Sequence, residues 1–316
     1  MSEPLRFGVL TVQNQTWPEM VRRWRRVEDL GFDSVWIADH FVSPRPQWIR
    51  DPFFDGWTTL AALSATTNRV SVGTLVTSIS LHNPAVLARQ AMTVDHISNG
   101  RLEVGIGSAG SVADYEMTGT GPWAPVERMA RLREVVEILD RTLRQSVTTY
   151  EGRFYSVRGA IMSPPPIQSP RPRLLIAAHG PAGLRLTAEY ADTWNTMVTP
   201  SMDALQSMGM DKRVATVRTQ NGRLDEICAE VGRDRTSVRR ALLALEPMAG
   251  AFRSKNYFEE WVGRFSEVGI QEFLFFWPVP YGKSGDVDGQ IQQEEMVMER
   301  VALEVIPQLR TPKDLT

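Results

Sequence analysis

Apolar and polar positions divide the chain into two kinds of segment. Continuous apolar runs of about four to eight residues are typical of strands buried on both faces, and apolar residues three and four apart indicate amphipathic helices. Residues 7–12 form the first apolar run, Pro18 opens a helical pattern that Gly31 ends, and residues 34–38 form the second run. This order of strand, helix and strand predicts a parallel βαβ unit.

The same rhythm continues along the chain. Further apolar runs predict strands at residues 70–77, 102–107, 174–178, 192–197, 240–245 and 272–277. Helical patterns follow them at residues 57–67, 84–97, 126–145, 181–190, 202–231, 258–268 and 290–309. Eight strand–helix units in 316 residues predict an α/β protein with a (β/α)8 TIM barrel and insertions.

An open doubly wound sheet is the main alternative architecture, and it would carry a glycine fingerprint after its first strand. Residues 11–15 contain no glycine there. Gly105, Gly107 and Gly110 match the spacing of that fingerprint, but they follow the fourth strand, and the pattern predicts no helix directly after them. The barrel is therefore the favoured fold.

The rhythm is interrupted at about residues 146–172. Residues 150–155 predict a small hairpin, and Ser163 with the three prolines after it predicts a rigid extended segment. Because the βα pattern resumes directly afterwards, we interpret this stretch as an insertion within a single domain that spans residues 1–316.

Composition excludes several classes of function. A formal net charge of −2 and a pI near 6.2 argue against a nucleic-acid partner. No apolar run is long enough to span a bilayer and residues 1–4 lack a signal-peptide pattern, so we expect a cytoplasmic protein without a membrane partner. The single cysteine, Cys228, lies in a helical pattern and is interpreted as a buried structural thiol.

Chemistry in a barrel is expected just beyond the carboxyl ends of its strands. The second strand ends in Asp39, His40 and Phe41, and a histidine with an unperturbed pKa of ~6.5 can move protons near neutrality. A structural histidine beside a helix-capping aspartate is the alternative. At a barrel mouth we favour proton transfer by His40, and a direct contact between Asp39 and His40 requires that the strand has ended.

Two loops with small residues also follow strands, at residues 107–111 and 178–180. Small residues let backbone amides approach a phosphate, and a helix amino terminus adds partial positive charge; a plain turn is the alternative for each loop. The four histidines, His40, His82, His96 and His179, lack the spacing of metal ligands, so we predict no metal site. Serine-hydrolase and paired-carboxylate signatures are not found.

Several separated segments resemble the bacterial luciferase-like flavin monooxygenases and deazaflavin-dependent oxidoreductases. They are residues 68–77, with the sequence NRVSVGTLVT, residues 83–88, NPAVLA, residues 95–107, DHISNGRLEVGIG, and residues 188–195, AEYADTWN. The resemblance implies a (β/α)8 barrel with insertions that binds FMN or coenzyme F420 at its carboxyl end. The segment WIADHF at residues 36–41 is similar to the F420 branch.

The resemblance also implies roles for individual residues. Asp39 would contact the cofactor ring, and His40 would be the acid or base at the substrate. A strand-three bulge, often with a non-prolyl cis peptide, would support the ring within residues 74–77, with the cis peptide expected at Leu75–Val76. The predicted cofactor-binding residues are Asp39, Thr74, Leu75, Val76, Thr77, Gly107, Ser108, Ala109, Gly110, Ala178, His179 and Gly180.

Two positions depart from the family pattern. The sugar-phosphate dehydrogenases of this group carry a catalytic glutamate where this chain has Gly110, which argues against glucose-6-phosphate dehydrogenase activity. His179 replaces a small residue, and it could add positive charge or crowd the loop. Trp48, Trp57, Trp194 and Trp277 are candidates for an apolar substrate pocket, with core packing as the alternative for each.

The leading hypothesis is an oxidoreductase that uses coenzyme F420 to transfer a hydride to or from a small organic substrate. One alternative is an FMN-dependent monooxygenase that receives reduced flavin from a partner reductase. A second alternative is a non-catalytic flavin- or deazaflavin-binding protein. The family resemblance also implies a homodimer.

Overall fold

Parallel strands close into a barrel in the computed structural model, which describes residues 4–43, 52–199, 202–245, 250–278 and 287–310. The barrel strands are β1 (Arg6–Leu10), β2 (Ser34–Ile37), β3 (Ser71–Thr74), β5 (Leu102–Gly107), β8 (Arg173–Ala177), β9 (Thr193–Thr196), β10 (Arg239–Ala244) and β11 (Glu272–Phe276). They pair in the order β3-β2-β1-β11-β10-β9-β8-β5, and β3 pairs with β5 to close the ring. The predicted eight-stranded parallel barrel is confirmed.

Helices surround this barrel. Their bounds are α1 (Trp17–Asp29), α2 (Gly56–Thr66), α3 (Pro84–Ile97), α4 (Val112–Thr118), α5 (Pro125–Arg144), α6 (Pro181–Tyr190), α7 (Met202–Ser207), α8 (Met210–Glu230), α9 (Lys255–Ser266), α10 (Val287–Arg300) and α11 (Ile306–Arg310). Asp55 caps α2 and Asn83 caps α3 by accepting bonds from free amides of the first turn. These caps fix where the chain turns from strand to helix.

Several of the predicted elements are divided or extended in the structure. The third strand is broken: β3 ends at Thr74, and a two-residue strand β4 (Thr77–Ser78) follows it against β5. The helical region after strand β9 is two helices, α7 and α8. The predicted hairpin is longer than expected and comprises the antiparallel strands β6 (Val147–Glu151) and β7 (Ser156–Ile161).

Alternation along strand β2 shows how the barrel is filled. Val35 and Ile37 pack outward with the helices, and Trp36 packs inward with Leu10, Leu75 and other buried side chains. Consecutive side chains of a strand point to opposite faces, so a continuous apolar run supplies both layers at once. All four residues of β2 are buried.

Charged side chains cluster at the amino-terminal end of the barrel, where the strands begin. Arg6 Nη2 lies 3.0 Å from Glu103 Oε1, and Arg6 Nε lies 3.5 Å from Glu272 Oε1. Glu272 is fully buried, and within the described ranges neither of its carboxylate oxygens accepts a hydrogen bond. Burial, and then the neighbouring Glu103 carboxylate, raise the pKa of Glu272 from 4.5 to about 7.

Replacement of this acid by its neutral isostere, Glu272→Gln, is expected to stabilise the protein progressively from pH 4.5 to pH 7 relative to wild type. As pH rises through that interval, the unfolded chain loses the Glu272 proton at a lower pH than the folded chain does. The contribution of Glu272 to wild-type stability therefore falls between pH 4.5 and pH 7 and stays constant above pH 7. Urea unfolding at a series of pH values measures the difference.

The matched control is Glu226→Gln, because the Glu226 side chain is 69% exposed and lies on the surface of α8. We expect this control to follow the wild-type pH dependence. A Glu272→Gln variant whose stability stays parallel to wild type across the interval would contradict the raised pKa.

Candidate active site

The polar end of strand β2 lies at the carboxyl end of the barrel, called the mouth below. The side-chain amide of buried Gln13 bonds both backbone groups of Ala38, donating to its carbonyl oxygen and accepting from its N–H at 3.2 Å. This side chain continues the strand pairing beyond Ile37. Asp39 and His40 therefore leave the sheet from a fixed position.

Asp39 is 2% exposed and is held by the segment that follows strand β3. Its Oδ2 accepts from the backbone N–H of Ser78 at 3.0 Å and lies 2.7 Å from His82 Nε2. Buried carboxylates need such partners, because an unpaired charge is costly away from water. His82, which showed no ligand spacing in the sequence, is the histidine that pairs with Asp39.

His40 has a different carboxylate partner. Its Nδ1 lies 2.8 Å from Oδ2 of Asp114, and the other oxygen of Asp114 accepts from the backbone N–H of Phe41 at 3.0 Å. Asp114 is 1% exposed, and the His40 side chain is 29% exposed. The mouth thus holds two Asp–His pairs, and the adjacent residues Asp39 and His40 belong to different ones.

Helix α4, which carries Asp114, corrects the prediction that no helix opens after Gly110. The hydroxyl of Ser111 accepts from the Asp114 N–H at 3.2 Å and caps the helix. Ser111-x-x-Asp114 has the spacing of an N-terminal cap, which is the signal that sequence reasoning missed. At seven residues the helix is too short for a clear apolar period.

The break in the third strand coincides with the predicted bulge. The Leu75–Val76 peptide is cis, as predicted, and Val76 is partly exposed at the mouth. Thr74 Oγ1 lies 2.7 Å from Thr77 Oγ1 and donates to the Gly105 carbonyl oxygen at 3.0 Å. The hydroxyls of Thr74 and Thr77 are thus buried and bonded within the protein, and Val76 is the member of the segment that reaches the mouth.

The two loops with small residues, 107–111 and 178–180, are called the glycine loops. They follow neighbouring strands, since β5 pairs with β8. Ala109 and Gly110 both have positive φ angles, 61° and 146°, and Arg128 Nη1 donates to the Ala109 carbonyl oxygen at 3.0 Å. Gly180 precedes α6, and a Cβ added there would meet no atom within 4 Å. The first turn of α6 has no side-chain cap.

These loops fit a phosphate-bearing cofactor. An uncapped helix start presents free amides, and the open space at Gly180 lets an anion approach them. The Nε of Arg128 is buried and has no hydrogen-bond partner among the described residues. Residues 107–110 and 178–180 thus lie on loops that follow paired strands, and the uncapped start of α6 leaves backbone donors available to an anion.

His179 does not add positive charge to this surface. Burial lowers its pKa to about 4, so the ring is neutral at pH 7. Its Nε2 accepts from the backbone N–H of Met197 at 3.3 Å, which leaves the proton on Nδ1. Of the two roles considered for His179, the cationic one is wrong.

The tryptophans considered for a substrate pocket lie in the core where they are described. Trp57, Trp194 and Trp277 are 2%, 0% and 1% exposed. Trp194 donates to the Ala178 carbonyl oxygen at 2.9 Å, so it supports the second glycine loop from behind. Trp48 lies outside the described residues.

In the described ranges, no three His, Cys, Asp or Glu side chains gather in a way that could hold a metal ion. No helix in those ranges combines the length and the apolar character needed to cross a bilayer. Cys228 is a buried free thiol, as predicted.

This fold, with a polar mouth beside two glycine loops, is that of a luciferase-like barrel. The profile of the family described as "Luciferase-like monooxygenase" matches residues 4–246, more than half of the chain. The chain belongs to this family.

Curated relatives carry names from the F420-dependent branch. An F420-dependent glucose-6-phosphate dehydrogenase of Intrasporangium calvum is 38% identical over 176 residues, which cover 55% of this chain and 50% of that protein. The enzyme of the same name from Microbacterium testaceum is 32% identical over 244 residues, covering 75% of this chain and 67% of that protein. The aligned region thus spans about half to two-thirds of these relatives.

Solved structures show the same fold over nearly the whole chain. An F420-dependent secondary alcohol dehydrogenase in complex with an F420–acetone adduct superposes with a TM-score of 0.75 at 20% identity, covering 95% of this chain and 99% of that one. The F420-dependent tetrahydromethanopterin reductase of Methanopyrus kandleri gives 0.74 at 17% identity, covering 98% and 100%.

A side chain at position 105 is expected to disrupt the mouth. A Cβ built on Gly105 would lie 1.9 Å from the carbonyl oxygen of Thr74, a backbone atom that cannot move aside alone. Gly105→Ala should lower the free energy of unfolding by about 1–3 kcal/mol, the usual cost of overpacking. Chemical denaturation measures this change.

Gly180→Ala is the matched control, because the added methyl group meets open space. Its free energy of unfolding should stay within about 0.5 kcal/mol of wild type. Equal stability of Gly105→Ala and wild type would show that strands β3 and β5 do not approach this closely.

Proposed function

We propose that this protein is an oxidoreductase that uses coenzyme F420 to transfer a hydride to or from a small organic substrate, with His40 as the proton donor or acceptor. The observation that carries the proposal is the pair of Asp–His contacts at the mouth. One fixes a buried carboxylate, Asp39, and the other orients a partly exposed histidine, His40. Family membership and the F420-dependent relatives support the choice of cofactor.

Several groups of the chain are suited to hold the cofactor. The amides of residues 108–110 and the first turn of α6 would bind the phosphate, and Val76 on the bulge would lie against a face of the ring. Asp39 would contact a polar edge of the ring. The deazaflavin ring, when bound, supplies the hydride chemistry, and the barrel supplies shape and electrostatics.

His40 is suited to the substrate side. Its side chain is 29% exposed at the mouth, whereas those of His82 and Asp39 are 10% and 2% exposed. An imidazole can accept a proton from a hydroxyl group as a substrate is oxidised, or donate one to an oxygen as a substrate is reduced. The same residue therefore serves either direction of hydride transfer.

Position 110 argues for a substrate other than glucose 6-phosphate, although the relatives above carry that name. Gly110 has no side chain with which to take the role of the catalytic glutamate that the family resemblance implies there. Its φ of 146° also disfavours any other residue type. Small neutral alcohols such as 2-propanol or cyclohexanol are therefore the alternative substrates.

Titration of the cofactor-free protein with coenzyme F420 and with FMN tests the cofactor assignment. We expect F420 to bind at least roughly tenfold more tightly than FMN. Quenching of tryptophan and deazaflavin fluorescence measures the binding. Tighter binding of FMN would favour the monooxygenase supplied by a reductase. Binding of F420 without turnover of any alcohol, ketone or sugar phosphate tested would favour the non-catalytic alternative.

His40→Gln should bind F420 with wild-type affinity and lose about 10²–10⁴-fold in turnover, the usual contribution of a general acid or base. The assay follows the absorbance of oxidised F420 with glucose 6-phosphate, 2-propanol or cyclohexanol, and in reverse with acetone. His96→Gln is the matched control, since His96 is an exposed histidine of α3 that bonds the Pro165 carbonyl oxygen. Turnover by His40→Gln at the wild-type rate would exclude the proton-transfer role.

The homodimer implied by the family resemblance stays a prediction. Sedimentation velocity of the purified chain, with and without F420, distinguishes a monomer from a dimer.

A further inference from the structure

We propose that Asp114 is a positioning residue that fixes the tautomer of His40, so that Nε2 of the neutral ring is an unprotonated base at the mouth. The inference rests on the proposed role of His40 and goes beyond it, because it assigns a function to Asp114, a residue of helix α4 whose side chain is shielded from solvent. Asp114 is 1% exposed and contacts His40 and Phe41 in the segment that follows strand β2.

The contacts of Asp114 are divided between the two oxygens of its carboxylate. Oδ1 accepts from the Phe41 N–H at 3.0 Å, and Oδ2 lies 2.8 Å from His40 Nδ1. The backbone contact with Phe41 prevents the carboxylate from turning away. The imidazole is therefore held at one nitrogen by an oxygen that is itself fixed.

The direction of this bond determines which nitrogen of His40 is a base. A carboxylate oxygen can only accept, so Nδ1 must carry the proton that it donates to Asp114. In the neutral ring Nε2 is then the unprotonated nitrogen, free to accept a proton. Asp39 and His82, the other titratable pair at the mouth, bond each other and do not compete for Nδ1.

A purely structural role for Asp114 is the alternative, because the residue also lies in helix α4 and bonds the backbone after His40. The substitution Asp114→Asn separates the two roles. An asparagine can keep an oxygen on the Phe41 N–H while presenting its NH₂ group to His40. Nδ1 must then accept, and the proton of the neutral ring moves to Nε2.

Nitrogen-15 NMR of the cofactor-free protein reads the tautomer directly. Long-range proton–nitrogen correlations of the imidazole rings, assigned by loss of the His40 signals in His40→Gln, should show Nδ1–H in wild type and Nε2–H in Asp114→Asn. An Nε2–H ring in wild type, or an unchanged ring in Asp114→Asn, would overturn the inference. This readout needs neither cofactor nor substrate, so it remains decisive if the protein fails to bind F420.

Turnover provides the second readout, with whichever substrate of the alcohol and sugar-phosphate panel the wild type converts. Asp114→Asn should lose about 10²-fold in kcat or more, with KM and the F420 dissociation constant within about twofold of wild type. Asp114→Glu, which keeps the carboxylate, should recover part of that loss. In the His40→Gln background, Asp114→Asn should change turnover by less than about twofold, since Asp114 acts through His40.

Thr118→Ala is the matched structural control. Thr118 Oγ1 donates to the backbone carbonyl oxygen of Asp114, so this variant weakens the same turn of α4 and leaves the carboxylate in place. We expect wild-type turnover and the Nδ1–H ring. A loss of turnover in Thr118→Ala equal to that in Asp114→Asn, or a further large loss when Asp114→Asn is added to His40→Gln, would assign Asp114 a structural role instead.

Discussion

The close approach of two backbones inside the barrel determines the geometry of the mouth. Strand β5 has glycine at position 105, where a side chain would collide with the Thr74 carbonyl oxygen, and only that absence lets the end of β3 lie against it. The hydroxyl of Thr74 then bonds the Gly105 carbonyl oxygen, and the chain bulges before it resumes as β4. The bulge carries Ser78 and His82 to Asp39, so the environment of that carboxylate follows from a contact between strands.

Much of the fold could be predicted from the sequence because a parallel barrel has a recognisable pattern of apolar residues. Its strands are covered on both faces, as the inward Trp36 and outward Val35 illustrate, and such strands read as unbroken apolar runs between helical periods. The positions of Asp39 and His40 followed from the end of one such run. Helix α4 left no comparable record, since it has seven residues and its one signal is the capping pair Ser111 and Asp114.

The partners of the site residues could not be predicted in the same way. Asp114 lies 74 positions after His40, and His82 lies 43 positions after Asp39. Hydrogen bonds over such separations depend on how strand ends meet around the closed barrel, and local periodicity does not encode that. The neutrality of His179 was equally out of reach, because it follows from burial of the ring in the folded barrel.

Adjacent residues at the end of β2 are anchored to separate parts of the chain, Asp39 to the segment after β3 and His40 to helix α4. The contacts that hold Asp39 and those that hold His40 are thus independent of each other. Changes within α4 and the connection that follows it can alter what surrounds His40 while the anchors of Asp39 stay intact. Under the proposed function, a barrel built in this way lets the surroundings of the substrate-side histidine change while the contacts of Asp39 stay the same.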